Sequence, residues 1–155
     1  MRRIERGELV APGDRTYADP MPKITARGVA QTALGAAMVL AGTGHLTFQR
    51  QEFQAQVPSW FPADPDLVVV VSGFVEIGFG AAMLTVWRQP ARRRVGLLLA
   101  LFFVAVFPGN IAQFTEHRDA FGLDTDTKRG VRLLFQPLLV LWALAATRPR
   151  RAADD

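Results

Sequence analysis

Glu76 is the only charged residue in an otherwise apolar stretch running from Leu67 to Trp87. Taking an ionised side chain into a bilayer costs at least about 2.5 kcal/mol on insertion scales, so such residues face protein or a water-filled cavity. Ser72 and Gly80 lie one helical turn to either side of Glu76. They put a small polar and a small apolar residue on the same face, a face that a neighbouring helix can approach closely. Glu76 is therefore expected to point away from lipid. Three more polar residues sit in apolar stretches: His45 after a glycine, Asn110 in FPGNIAQ and Gln136 in FQP. Imidazole and carboxamide groups can donate to the carbonyls of a small molecule, and a carboxylate accepts from its donors. Together they suit ligand binding, proton handling or bonds between helices. Asn110 and Gln136 alone fit the last role, which contributes about 0.6 kcal/mol on average. His45 fits a headgroup layer. Glu76 is harder to assign to either bland reading, because intramembrane acids are functional by default, so a ligand or proton-handling role for the cluster stands beside structural glue.

The elements that must position these residues are four apolar blocks, at about 27–48, 67–87, 95–114 and 131–146. A membrane span needs roughly 17–25 mostly apolar residues. The second and third blocks qualify outright. The first is diluted by Gln31, Thr32 and glycines, and the fourth is short and must be extended at its ends or shielded by its neighbours. Soluble helices rarely stay apolar on every face for this long. The expectation is an all-α fold, a four-helix transmembrane bundle running up-down-up-down over residues 27–147. A polar N-terminal tail (1–26) and a short C-terminal tail (148–155) flank it. The first apolar run starts too late for a secretory signal.

Counting about 1.5 Å per residue places His45, Asn110 and Gln136 roughly 4–8 Å below the outer helix ends and Glu76 about 13 Å below. Side chains lean toward the N-terminus of their helix. Glu76 and Gln136, on inward-running helices, lean outward, and His45 and Asn110 lean inward. One residue from each helix can thus converge in the outer half of the bundle. Pro108 and Pro137 each leave a backbone carbonyl without its usual partner, and kinks there favour a cavity. Between the first two blocks, Trp60 and Phe61 stand between prolines in VPSWFP. They read as an interfacial anchor capping the polar cluster, so Trp60 joins His45, Glu76, Asn110 and Gln136 as a candidate ligand-binding residue.

Orientation follows from the basic residues, which concentrate on the cytoplasmic side of membrane proteins. Six of the 18 precede or include Arg27, four lie in WRQPARRR and three follow Thr147. In a four-span protein those segments share one side, so both termini are expected in the cytoplasm and the protein in the cell (inner or plasma) membrane. The C-terminal RPRR reads as a topology anchor touching anionic lipid. The pI of about 10.6 does not point to nucleic acid, because the basic residues flank apolar blocks. With no cysteine, disulfides, thiol catalysis and cysteine-ligated metal are excluded. Two histidines without repeated ligand spacing argue against a catalytic zinc, and no metal is expected. There is no nucleotide loop, nucleophile elbow or internal repeat.

Taken in order, GH near the end of the first block, VPSWFP, SGFVEIGFG, the arginine-rich turn, FPGNIAQF and LLFQPLLVLWA resemble the DoxX-like family of small bacterial membrane proteins. The resemblance spans roughly residues 31–146 and rests on Gly44, His45, Pro58, Trp60, Glu76, Pro108, Asn110, Gln136 and Pro137. It implies a four-helix membrane bundle. Some members are subunits of quinone-linked oxidoreductases acting on sulfur compounds or associate with oxidative-stress enzymes. The long polar tail and the acidic loop LDTDTK depart from the pattern. Three functions follow as expectations. The first is a small-ligand (quinone-like) binding or membrane-anchoring subunit of a redox complex. This chain has no evident redox centre and no self-contained catalytic motif, so electrons would come from an oxidoreductase partner. The second is a proton-coupled small-solute transporter with Glu76 titrating, which four helices would support as a homodimer. The third is a purely structural or assembly subunit.

Overall fold

The computed structural model describes residues 25–149. The expected terminal tails therefore lie outside the described residues, apart from the short stretches 25–26 and 148–149. Among the described residues there are five helices: α1 (Ala26–Leu46), α2 (Arg50–Gln54), α3 (Pro65–Thr85), α4 (Ala91–Thr115) and α5 (Asp126–Thr147). Each starts where local chemistry favours it. The hydroxyl of Thr25 accepts the Gly28 N–H and that of Thr125 accepts the Lys128 N–H. The Asp64 carboxylate accepts the Leu67 N–H, with Pro65 following at the first helical position.

The helices α3, α4 and α5 are long and apolar enough to cross a membrane. The fourth apolar block is indeed extended at its N-terminal end, because Thr125 caps the helix at Asp126 and five further residues join ahead of Val131. Likewise α4 begins at Ala91, so Arg92, Arg93 and Arg94 occupy a helical turn and not the turn between helices expected from the sequence. The α3 helix ends at Thr85, two residues short of the expected boundary. Its last carbonyls are taken by a side chain from α1: Gln31 Nε2 donates to Met83 O at 2.7 Å and, beyond the helix, to Val86 O at 3.1 Å. Gln31, which only dilutes an apolar block in sequence, is fully buried and ties two helix ends together.

The long helices contact one another in the order α1, α3, α4, α5 and back to α1. Neighbours run antiparallel, since the start of α1 meets the end of α3 through Gln31 and the end of α5 through the Trp142 Nε1–Ala30 O bond at 2.9 Å. The start of α4 meets the end of α5 through Arg92 and Ala146 O, 2.6 Å apart. The α1–α3 seam is made by glycines seven residues apart on both helices, Gly35 and Gly42 against Gly80 and Gly73. A Cβ on Gly42 would lie 2.5 Å from Gly73 O, and one on Gly80 would lie 2.8 Å from Gly35 O. Backbones approach this closely only without side chains between them.

Unlike a soluble protein, this one is apolar outside as well as inside. Its core is Leu34, Met38, Met83, Leu99, Ala100, Phe103 and Ala143, with Gln31, His45, Asn110, Gln113 and Gln136 also buried. Large apolar residues stay exposed along the spans, among them Phe74 on α3, Leu101 on α4 and Leu138 on α5. A patch of this extent is stable where hydrocarbon and not water covers it. These features make it a multi-pass membrane protein with lipid-facing helices.

Candidate functional site

The four polar residues singled out in the sequence form two pairs. On the α1–α3 side, His45 Nδ1 lies 3.2 Å from Glu76 Oε2. The same nitrogen lies 2.9 Å from Ala41 O one turn back. With its proton on that carbonyl, Glu76 Oε2 is near the ring but out of hydrogen-bond alignment, and it is buried without a hydrogen-bond partner. The Glu76 side chain is only 12% exposed, so it faces the protein interior as expected. Ser72, on the same face, donates to Val69 O and not to the acid.

On the α4–α5 side, Asn110 Nδ2 donates to Gln136 Oε1 at 3.0 Å, and Gln136 Nε2 donates to Phe103 O at 2.5 Å. Pro108 leaves Val104 O without its helical N–H, and Gln136 binds the carbonyl immediately before it. Each carboxamide thus spends one of its two N–H groups within the protein. Asn110 Oδ1 is left buried and unbonded.

Both pairs line one cavity of about 570 Å³, walled below by Leu34, Met38, Phe102, Phe103 and Leu139 and bordered above by Trp60 and Phe61. Binding pockets for small molecules commonly have this size and composition, mostly apolar with a few polar groups. Four buried polar side-chain atoms facing it have no hydrogen-bond partner: the acceptors Glu76 Oε2 and Asn110 Oδ1 and the donors Gln56 Nε2 and Arg132 Nε. Buried polar groups are normally satisfied, and leaving one unpaired costs about 1–3 kcal/mol.

The roof is assembled from the two outer loops. The short helix α2 lays Phe53 flat on the His45 ring, 3.4 Å between centroids, and Phe121 meets Phe53 edge-on at 4.7 Å. Phe121 has a φ of 56°, rarely adopted by a bulky residue. Its N–H donates to the Glu52 carboxylate, a bond between the loops that holds it there. Arg118 binds Val57 O at 2.7 Å, and Ser59 Oγ donates to Glu116 at 3.2 Å. Gly109 on α4 lets the first loop settle, since a Cβ there would lie 2.3 Å from Gln56 O. Trp60 is 67% exposed and makes an edge contact with Phe61, which suits an aromatic anchor in the headgroup layer. Farther out, Arg129 is buried between the carboxylates of Asp119 and Asp126, and Lys128 Nζ donates to Asp124 at 2.7 Å. That bond, chief among several causes, holds the Asp124 carboxyl below its ordinary range.

The model of a domain of unknown function, DUF8561, matches residues 34–147. The chain belongs to the DUF8561 family. No curated protein and no solved structure matches it. The match begins within α1 and closes on the last residue of α5, so every residue that lines the cavity belongs to the DUF8561 domain.

All five candidate residues, His45, Trp60, Glu76, Asn110 and Gln136, line this cavity. Sequence reasoning missed Phe53, Gln56, Phe121 and Arg132, which line it too. Phe53 and Gln56 sit in a polar loop with no periodic signal, and Arg132 stands at the start of an apolar block, where a basic residue is ordinary. Among the described residues no cluster of His, Asp and Glu could hold a metal ion.

Proposed function

We propose that this DUF8561 protein is a four-span membrane protein, α1 crossing with α3, α4 and α5, that holds a small amphipathic molecule in the outer half of its bundle. The observation that carries this reading is the set of unpaired donors and acceptors around one apolar cavity. A ligand of quinone-like size would place its apolar body against Phe102, Phe103 and Leu139. Its polar end would meet Gln56, Arg132, Glu76 and Asn110. The DoxX-like resemblance supplies the redox part of the proposal. The chain would serve as a ligand-binding or anchoring subunit beside an oxidoreductase, in the bacterial inner membrane. Purification with native lipid, extraction and mass spectrometry should recover one amphiphile near equimolar with protein. Recovery of bulk lipids only, in membrane proportions, would exclude a dedicated ligand. An invariant co-purifying protein without a ligand would favour a structural subunit.

The His45–Glu76 contact favours a second reading, a proton-coupled transporter acting as a dimer. In liposomes it would appear as a proton flux lost in Glu76→Gln.

Both termini belong in the cytoplasm in this proposal. The tryptophans agree with two interfaces, Trp60 at one end and Trp87 and Trp142 toward the other, where they bond Leu84 O and Ala30 O. Reporter fusions after Ala152 and in the loop at Asp124 should report opposite sides, and reports from the same side would reject the four-span arrangement.

A further inference from the structure

We infer that the cavity selects an amphiphile whose head group carries a negative charge, and that Arg132 is the residue that reads it. The inference rests on the cavity being a ligand site, as proposed above. On the outer side every other basic residue has its own carboxylate. Arg50 pairs with Asp66, Arg118 with Glu116, Lys128 with Asp124, and Arg129 with Asp119 and Asp126. Arg132, among the described residues, has none. It lines the cavity, its Nε is buried with no hydrogen-bond partner, and its guanidinium lies over the Phe121 ring, 5.3 Å from the centroid. A cation–π contact of this kind offsets little of the cost of taking a guanidinium out of water.

The acid in the same cavity does not fill the role. Glu76 lies against His45, Phe53 stacks on the His45 ring, and Phe121, edge-on to Phe53, carries Arg132 on its face. The two groups therefore sit at opposite ends of a row of aromatic contacts. A guanidinium recognises a carboxylate or phosphate through paired, charge-assisted bonds. The apolar walls below suit an acyl or aryl body. The chemistry is shared by a free long-chain acid and by an anionic lipid, and the experiment separates them.

The purified protein, released from detergent and examined by native mass spectrometry, would be offered dodecanoate or its uncharged methyl ester at equal concentration. The acid is expected to bind the wild type at least about tenfold more tightly than the ester, the scale of one hydrogen bond to a charged group. Arg132→Gln should bring the acid to the level of the ester, and Arg132→Lys should keep a preference for the acid. Equal binding of acid and ester to the wild type would overturn the inference, as would an unchanged preference in a folded Arg132→Gln. If that variant does not fold, the wild-type comparison decides. Binding of neither probe would instead remove the ligand reading beneath it. A neutral amphiphile recovered from native membranes would uphold that reading and overturn this inference. With the acid preferred, competition by phosphatidylglycerol would assign the head group to a lipid, and its absence would assign a free acid.

Discussion

Gly80→Ala is expected to lower the melting temperature of the detergent-solubilised protein by roughly 5–10 °C, and Gly78→Ala, on the same helix, is expected to leave it unchanged. A methyl group on Gly80 would meet Val39 Cγ2 at 2.6 Å and both Gly35 O and Val39 N at 2.8 Å. The valine methyl can rotate away. The two backbone atoms can retreat only if α1 moves as a body, which would also loosen the contact between Gly42 and Gly73. Gly78 has nothing within 4 Å of the added carbon, so there the methyl group would enter lipid. The pair isolates packing from helix propensity, because both changes replace glycine with alanine in one helix. Equal melting of the two variants would mean that α1 and α3 do not meet along the glycine seam. The consequence reaches the site, since His45 and Glu76 stand across that seam.

Three substitutions of Glu76 are expected to separate widely. Glu76→Gln should melt close to the wild type, because the amide keeps the size and the accepting oxygen of a side chain that is almost fully enclosed. Glu76→Ala should fall below it through lost packing. The loss is limited, because His45 Nδ1 keeps its bond to Ala41 O. Glu76→Lys should be the worst in stability and yield. It places a cation beside His45 in an apolar wall, at an insertion cost of about 2.5–3.5 kcal/mol. Bound-ligand content should follow a different order, falling already in Glu76→Gln if the ligand bonds the side chain as an ionised acceptor, which a neutral amide replaces only weakly. Identical melting of all three, with ligand content unchanged, would place Glu76 toward water or headgroups and remove it from the site.

Much of this protein was written in local pattern. Apolar blocks of sufficient length, acidic and hydroxyl caps and the proline positions determine helices, and hydropathy determines that a membrane surrounds them. Those properties depend on a residue and its near neighbours in the chain. The heights of His45, Glu76, Asn110 and Gln136 were legible only in part. Rise per residue is fixed, but the helix ends from which it is counted are not, and α5 starts at Asp126, ten residues before Gln136 instead of the five expected. Their partners were not. Whether Asn110 finds Gln136 or a ligand depends on how two helices rotate about their axes, and side chains far apart in sequence set that rotation. The seam of Gly35, Gly42, Gly73 and Gly80 illustrates this, because glycines that dilute a span on paper become its closest contact only when two helices align. Gln31 and Arg132 make the point at opposite ends of the fold. A glutamine in a span reads as a flaw until the carbonyls of another helix stand before it. An arginine near a helix start reads as an orienting charge until the outer loops fold over it, bringing Phe121 against it and supplying no carboxylate. Arg118 and Lys128 find carboxylates close by in the chain, at Glu116 and Asp124, whereas Arg50 reaches Asp66 across the first loop and Arg129 reaches Asp119 as well as Asp126. That Arg132 faces the cavity without one is decided by tertiary structure, because only the folded loops set what stands before its guanidinium.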